Sequence, residues 1–134
     1  MAIIDLRPEL RLFLLESSDI FTAVGGARIF PHILPQGERR ASLVYNLISE
    51  ITDHHMQGAS GLVTARYQLD AWAGLADDAD ALARLVKNRI DGYRGPMGAV
   101  QVQGVFADTA FTRYESNPNL YGVSRDFLIW YGER

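Results

Sequence analysis

The chain has 134 residues, a formal net charge of −3 and no cysteine, which excludes a disulfide framework and a thiolate metal site. Its longest basic run is the pair Arg39-Arg40, which argues against a broad phosphate-binding surface for nucleic acid. Charged residues interrupt the N-terminus, and no apolar run approaches the roughly 20 residues that span a bilayer. We therefore expect one soluble, intracellular domain over residues 1–134.

Residues 1–27 are predicted to form a helical N-terminal segment. Asp5 can cap a helix in which Leu6, Leu10 and Leu14 share one stripe. A second cap and a short apolar stretch follow, before two adjacent glycines end the segment in a turn. The polar face of the first helix carries both positive and negative charges rather than mainly positive ones. We therefore favour packing of this helix on the domain's own sheet over binding to a membrane surface.

The strongest pattern in the chain lies between Gly58 and Gly74. Apolar residues from Val63 to Ala71 alternate with polar ones, which predicts a long strand with one face in a core. The period then changes, and residues 75–91 are predicted to form a helix. Its apolar stripe comprises Ala79, Leu82, Val86 and Ile90.

Further strands are predicted on both sides of this unit, and residues 28–134 are expected to form a sheet-plus-helix core. The strand predictions are residues 28–31, 42–51, 100–106 and 123–131, with a turn-rich loop at 92–98. The fold class is therefore α+β: a single domain with a mainly antiparallel, four- to five-stranded sheet and helices packed on one face.

Two connections between strands are unusual. Residues 53–61 contain glycines and the pair His54-His55, and we interpret them as a β-hairpin with a mobile end. Adjacent histidines of an extended segment point to opposite faces, so they do not easily chelate one ion. Residues 108–122 contain a Pro/Asn loop flanked by Tyr114 and Tyr121, which are residue types suited to protein interfaces.

The sequence carries no recognisable catalytic motif. It has no Gly-x-Ser-x-Gly elbow, no His-Glu-x-x-His and no Walker loop. Three aspartates cluster near residue 78, but they fall in the first turn of the predicted helix and complement its dipole. We predict no enzyme activity, no cofactor and no metal.

Taken in order, several stretches resemble the tail completion, or tail terminator, proteins of long-tailed phages and phage-derived gene transfer agents. The stretches are 28–31 with 35–37, 44–45, 61–73 and 120–131. The resemblance implies a homohexameric ring that caps the tail tube, halts its polymerisation and presents a surface to the capsid neck. Its partners would be further copies of itself, the tube protein and a neck or head-completion protein, with no membrane and no recognition of nucleic-acid sequence.

A closed ring requires one patch on each subunit to meet a different patch on its neighbour. Sheet edges and the two connections are the natural candidates. The predicted interface residues are Asp53, His54, His55, Met56, Gln57, Ser60, Tyr114, Asn117, Asn119 and Tyr121. Two alternatives stay open: another ring component, such as a neck adaptor or the tube protein itself, and a small metal-binding domain or enzyme.

Overall fold

The computed structural model describes residues 5–55, 58–116 and 119–133, with side chains for 5–52, 62–116 and 119–132. Three helices are present in it: α1 (Leu6–Leu15), α2 (Ser18–Ala23) and α3 (Ala76–Ile90). The strands are β1 (Ile29–Pro31), β2 (Ser42–His55), β3 (Gly58–Ala73), β4 (Gly95–Met97), β5 (Val100–Glu115) and β6 (Leu120–Glu133). None of these helices is long and apolar enough to cross a membrane.

The six strands form one mixed sheet in the order β1-β2-β3-β6-β5-β4. The prediction of a mainly antiparallel sheet of four to five strands was therefore wrong in the number of strands, and one of the five pairs, β1–β2, is parallel. Strand β4 lies within the stretch predicted as a turn-rich loop. Gly95 and Pro96 are residue types typical of turns, but here they belong to an edge strand of three residues, where proline is tolerated. β1 and β2 run parallel because residues 32–41 return the chain to the same end of the sheet before β2 begins.

The helices pack on one face of the sheet, as predicted. Asp5 caps α1 by accepting a hydrogen bond from the Arg7 backbone N–H, and Ser17 caps α2 in the same way for Ile20. The apolar stripes of α1 and α3 join the inward residues of β3 in one core. That core includes Leu6, Leu10, Leu14, Ala65, Tyr67, Leu69, Ala71, Leu82, Val86, Ile90, Phe127 and Ile129.

Both unusual connections are more strand-like than the sequence indicated. β2 and β3 pair as far as His55 and Gly58, so most of residues 53–61 belongs to these two strands. β3 pairs with β6 only from Val63 onward, whereas its first residues, Gly58 and Ala59, pair with His55 and His54 of β2. This two-stranded hairpin continues beyond the body of the sheet.

β5 likewise continues to Glu115, well past the predicted end at residue 106. A register shift between Ala107 and Ala110 breaks the alternation from which the strand was predicted. The predicted loop at 108–122 therefore shrinks to residues 116–119.

The opposite face of the sheet, called the open face below, carries none of the described helices. A second, small apolar cluster lies on it, formed by Val44, Trp72 and Leu120 with Leu34 packed against them. The segment that follows β1 supplies Leu34, so residues 32–38 partly cover one end of the open face.

Candidate functional site

The two predicted tyrosines form a pair at one end of the sheet. Tyr114 and Tyr121 are cross-strand partners at the end of the β5–β6 ladder, with ring centroids 4.9 Å apart. The Tyr114 hydroxyl donates a hydrogen bond to Asn119 Oδ1 at 2.6 Å, and Asn119 has a φ of 69°. Tyr114 is 54% exposed, so an aromatic surface remains available beside this turn. Asn117 lies outside the described residues.

The histidine-containing hairpin lies at the other end. His54 is registered opposite Ala59 and His55 opposite Gly58. Met56 and Gln57 lie outside the described residues, as do the side chains of Asp53, His54, His55 and Ser60. The structure therefore describes the backbone of residues 53–55 and 58–60 of this predicted site.

The two ends are far apart along β6. Tyr121 pairs with Ala73 at one end of the central ladder, and Tyr131 pairs with Val63 at the other. At about 3.3 Å per residue, ten strand positions separate them by roughly 33 Å. The described residues among those predicted for the interface therefore lie at opposite ends of the sheet.

An ion pair between a buried carboxylate and a partly exposed arginine crosses the open face between these ends. Asp70 is 3% exposed and accepts hydrogen bonds from Arg113 Nη2 at 2.7 Å and from Gln68 Nε2 at 2.9 Å. Arg113 Nε also donates to the buried Ser124 hydroxyl at 3.0 Å. The Arg113 guanidinium carbon lies 5.2 Å from the Trp72 ring centroid. This network links β5, β6 and β3 through one side chain.

A second ionic group lies farther along the same face. Arg66 Nη1 donates to Asp108 at 2.9 Å and to Asp126 at 3.0 Å, and these hydrogen bonds raise the pKa of its guanidinium. The other oxygen of Asp126, Oδ1, is buried and has no partner among the described residues. Sequence reasoning missed both networks, because their ion pairs join residues 42 to 60 positions apart.

A cavity of about 340 Å³ lies between the segment after β1 and the ends of the long strands. Its lining residues are His32, Ile33, Leu34, Glu38, Asp70, Trp72, Arg113, Glu115 and Leu120. Its buried carboxylate, Asp70, accepts a hydrogen bond at each oxygen, from Gln68 and from Arg113. Within the described parts of the chain, no group of three or more His, Asp or Glu side chains could hold a metal ion.

An aromatic groove lies near the hairpin end of the open face, with a cavity of about 200 Å³. Phe106 and Trp130 meet edge to face with ring centroids 5.2 Å apart, and Phe106 is 61% exposed. Leu62 lines the same groove. These apolar side chains suit contact with another protein better than chemistry on a small substrate.

Long stretches of the sheet margins are unpaired. β1 covers β2 only at residues 43–45, and β4 covers β5 only at residues 100–102. The turn after α3 covers slightly more of β5, since Gly92 donates its N–H to the Val105 carbonyl and Asp91 accepts from the Ala107 N–H. In the described part of the sheet, residues 46–52 and 109–115 pair with no strand on their outer side.

Comparison with known proteins identifies the family. Residues 8–132 match the family model described as tail completion protein gp17. Among solved structures, a chain from the virion of a native gene transfer agent particle is similar in fold, with a TM-score of 0.73 and 14% sequence identity. The match covers 95% of this chain and 94% of that one. No curated protein matches the chain. The chain belongs to the tail completion protein gp17 family and is a structural protein of a phage-type tail.

Proposed function

We propose that this protein caps the end of a tail tube, stops its polymerisation and, as a homohexameric ring, forms the surface to which the head or neck is joined. The observation that carries the proposal is the family match over residues 8–132, which is almost the whole folded domain. The fold shared with a chain of a gene transfer agent virion is consistent with it.

The positions of the two predicted contact sites support a two-sided role. A cap must present one surface to the tube and another to the neck, and the tyrosine end and the hairpin end lie at opposite ends of the sheet. We assign residues 53–60 and 114–121 as contacts with neighbouring subunits or adjoining rings. The partners are a tail tube protein on one side and a neck or head-completion protein on the other.

The described surface also favours assembly over catalysis. It exposes large apolar side chains on the open face and on its margins, including Ile48, Ile51, Phe106 and Phe111. Patches of this kind on a folded protein mark interaction sites. We infer a structural role without a catalytic step.

The test measures mass and tube length. Light scattering coupled to size exclusion should give the mass of six chains, either for the protein alone or after addition of purified tube protein. Tubes grown with the protein should stop at limited length and carry a ring at one end in electron micrographs. Open-ended polymers of this chain alone would identify a tube protein instead. Tubes of unchanged length with no bound ring would refute the capping role.

A further inference from the structure

The two unpaired margins of the sheet are matched in length. Residues 46–52 of β2 and residues 109–115 of β5 each provide seven residues whose outer side has no strand partner in the described sheet. The two stretches lie on opposite sides of the sheet, since β2 and β5 are each the second strand from an edge. We call them the β2 edge and the β5 edge.

Both edges lack several of the features that usually keep a sheet margin from pairing. Exposed edges are normally protected by lysine and other charged residues, proline, β-bulges, very short strands or a covering segment. The β2 edge has Glu50 and one register shift after Leu47, and the β5 edge has Arg113 and Glu115. The β2 edge reads Asn-Leu-Ile-Ser-Glu-Ile-Thr and the β5 edge Thr-Ala-Phe-Thr-Arg-Tyr-Glu, with no lysine or proline in either. Instead they expose β-branched and aromatic side chains, with Ile51 at 68% exposure and Phe111 at 45%.

Both edges also contain a regular stretch that another strand could follow. Register shifts within β2 lie between Leu47 and Ser49 and between Thr52 and His54, which leaves residues 49–52 regular. In β5 the shift ends at Ala110, which leaves residues 110–115 regular. Each stretch is paired on its inner side, so its backbone is already extended and loses little further freedom when a second partner binds.

We propose that the β5 edge of one copy of this chain pairs with the β2 edge of the next, so that the sheet continues from subunit to subunit. The inference rests on the proposed function, because it specifies how the ring is joined. Two different edges on opposite sides of one sheet give a heterologous contact, which is the type that can close into a ring. A β2–β2 or β5–β5 contact would instead give a two-fold dimer and leave the other edges open.

Cysteine cross-linking tests the proposal in the full chain, because the protein has no cysteine of its own. Cysteines are placed in pairs, with Ser49→Cys or Thr52→Cys on the β2 edge and Thr109→Cys or Thr112→Cys on the β5 edge. These four residues are small and exposed, so the monomer should fold normally. After treatment with a short bis-maleimide, one or more pairs should give a ladder of covalent multimers ending at the closed ring.

A matched control combines Thr112→Cys with Ala81→Cys, which is exposed on the helical side of the domain. It should give no ladder, and each single cysteine should give no more than a trace of dimer. Independently, Ile51→Lys together with Thr112→Lys should abolish rings while leaving the unfolding transition of the monomer unchanged, and Ala81→Lys should leave the rings intact.

The outcomes separate this proposal from the capping role. A particle of six chains whose edge pairs cross-link no better than the control would overturn edge pairing and leave the cap standing. A protein that stays monomeric, alone and on tail tubes, and gives no ladder would overturn both. A ladder that stops at dimers in single-cysteine variants would show symmetric edge contacts, which also contradicts the proposal.

Discussion

The Arg113 guanidinium donates a hydrogen bond to the buried Asp70 carboxylate at 2.7 Å, although the two residues are 43 positions apart in the sequence. The contact passes over β6, the strand between them, where Ser124 accepts a second hydrogen bond from Arg113. One cation therefore fixes three neighbouring strands of the open face relative to one another.

Replacement of Arg113 by alanine should destabilise the monomer. The Asp70 side chain is almost completely buried, so loss of its charged partner leaves an uncompensated carboxylate at a cost of about 2–3 kcal/mol. Urea unfolding of the Arg113→Ala protein measures the loss. Arg40→Ala is the control, because the Arg40 side chain in the Arg40–Glu38 pair is solvent-exposed and its loss should change stability much less. Equal stabilities for the two variants would contradict the structural role assigned to Asp70.

Gly122→Ala should also be destabilising, for a steric reason. A Cβ atom at this position would lie 2.8 Å from ring atoms of Trp72, which is packed with Val44 and Leu120. The overpacking should cost about 1–3 kcal/mol in urea unfolding. Gly104→Ala is a matched strand control, since its nearest non-neighbouring atom would be 3.9 Å away. We expect that control to be neutral or slightly stabilising, and a similar loss in both variants would point to a general strand effect.

Stability should fall at alkaline pH because of two buried tyrosines. Burial raises the pKa of Tyr131, its hydrogen bond to Glu50 raises it further, and burial likewise raises the pKa of Tyr67. The folded-state pKa values of both tyrosines lie above the ordinary value near 10. The two groups therefore contribute fully to the free energy of unfolding below about pH 10, and this contribution is lost as pH rises above it. As pH rises, the unfolded chain loses these two tyrosine protons before the folded chain does, which favours unfolding.

The Tyr131→Phe variant isolates one of these groups. It should lose about 1 kcal/mol at neutral pH with the hydrogen bond to Glu50, and its stability should fall less steeply above about pH 10. Urea unfolding across that range gives both quantities. Adding Tyr67→Phe should flatten the alkaline decline further. An unchanged slope in the double variant would show that other groups control it.

Substitutions at the two ends of the sheet should affect assembly rather than folding. Tyr114→Ala with Tyr121→Ala removes a partly exposed ring pair, and His54→Ala with His55→Ala changes the hairpin end. We expect each pair to weaken ring formation or tube capping while the unfolding midpoint stays nearly constant. The tyrosine double variant and the histidine double variant should each lose binding to a different partner. Tube-capping and neck-joining assays distinguish these two losses. Normal assembly by both variants would remove residues 53–60 and 114–121 from the proposed interface.

The parts of the fold predicted from sequence are those where periodicity matches burial. Alternation from Val63 to Ala71 predicted β3, and the four stripe residues of α3 are all buried. The same rule failed in β5, because the register shift after Ala107 changes which side chains face the core. It also missed β4, whose three residues are too few to show any period.

The candidate site was predictable only where it depends on local sequence. Tyr114, Asn119 and Tyr121 lie close in the chain, and the structure brings them together at one turn. The ionic networks of the open face and the unpaired edges depend on which strands become neighbours. That order is set by long-range packing of the whole sheet, so no short stretch of the sequence contains it.

The position of β6 has a consequence for the synthesis of this protein. β6 is the last strand in sequence order, yet it lies between β3 and β5 at the centre of the sheet. A nascent chain that has reached only β5 therefore exposes two interior strands with no partner between them, and pairing of β3 with β6 must close a separation of about 50 to 70 residues. Transient chaperone cover during translation would protect these strands from pairing between unfinished chains.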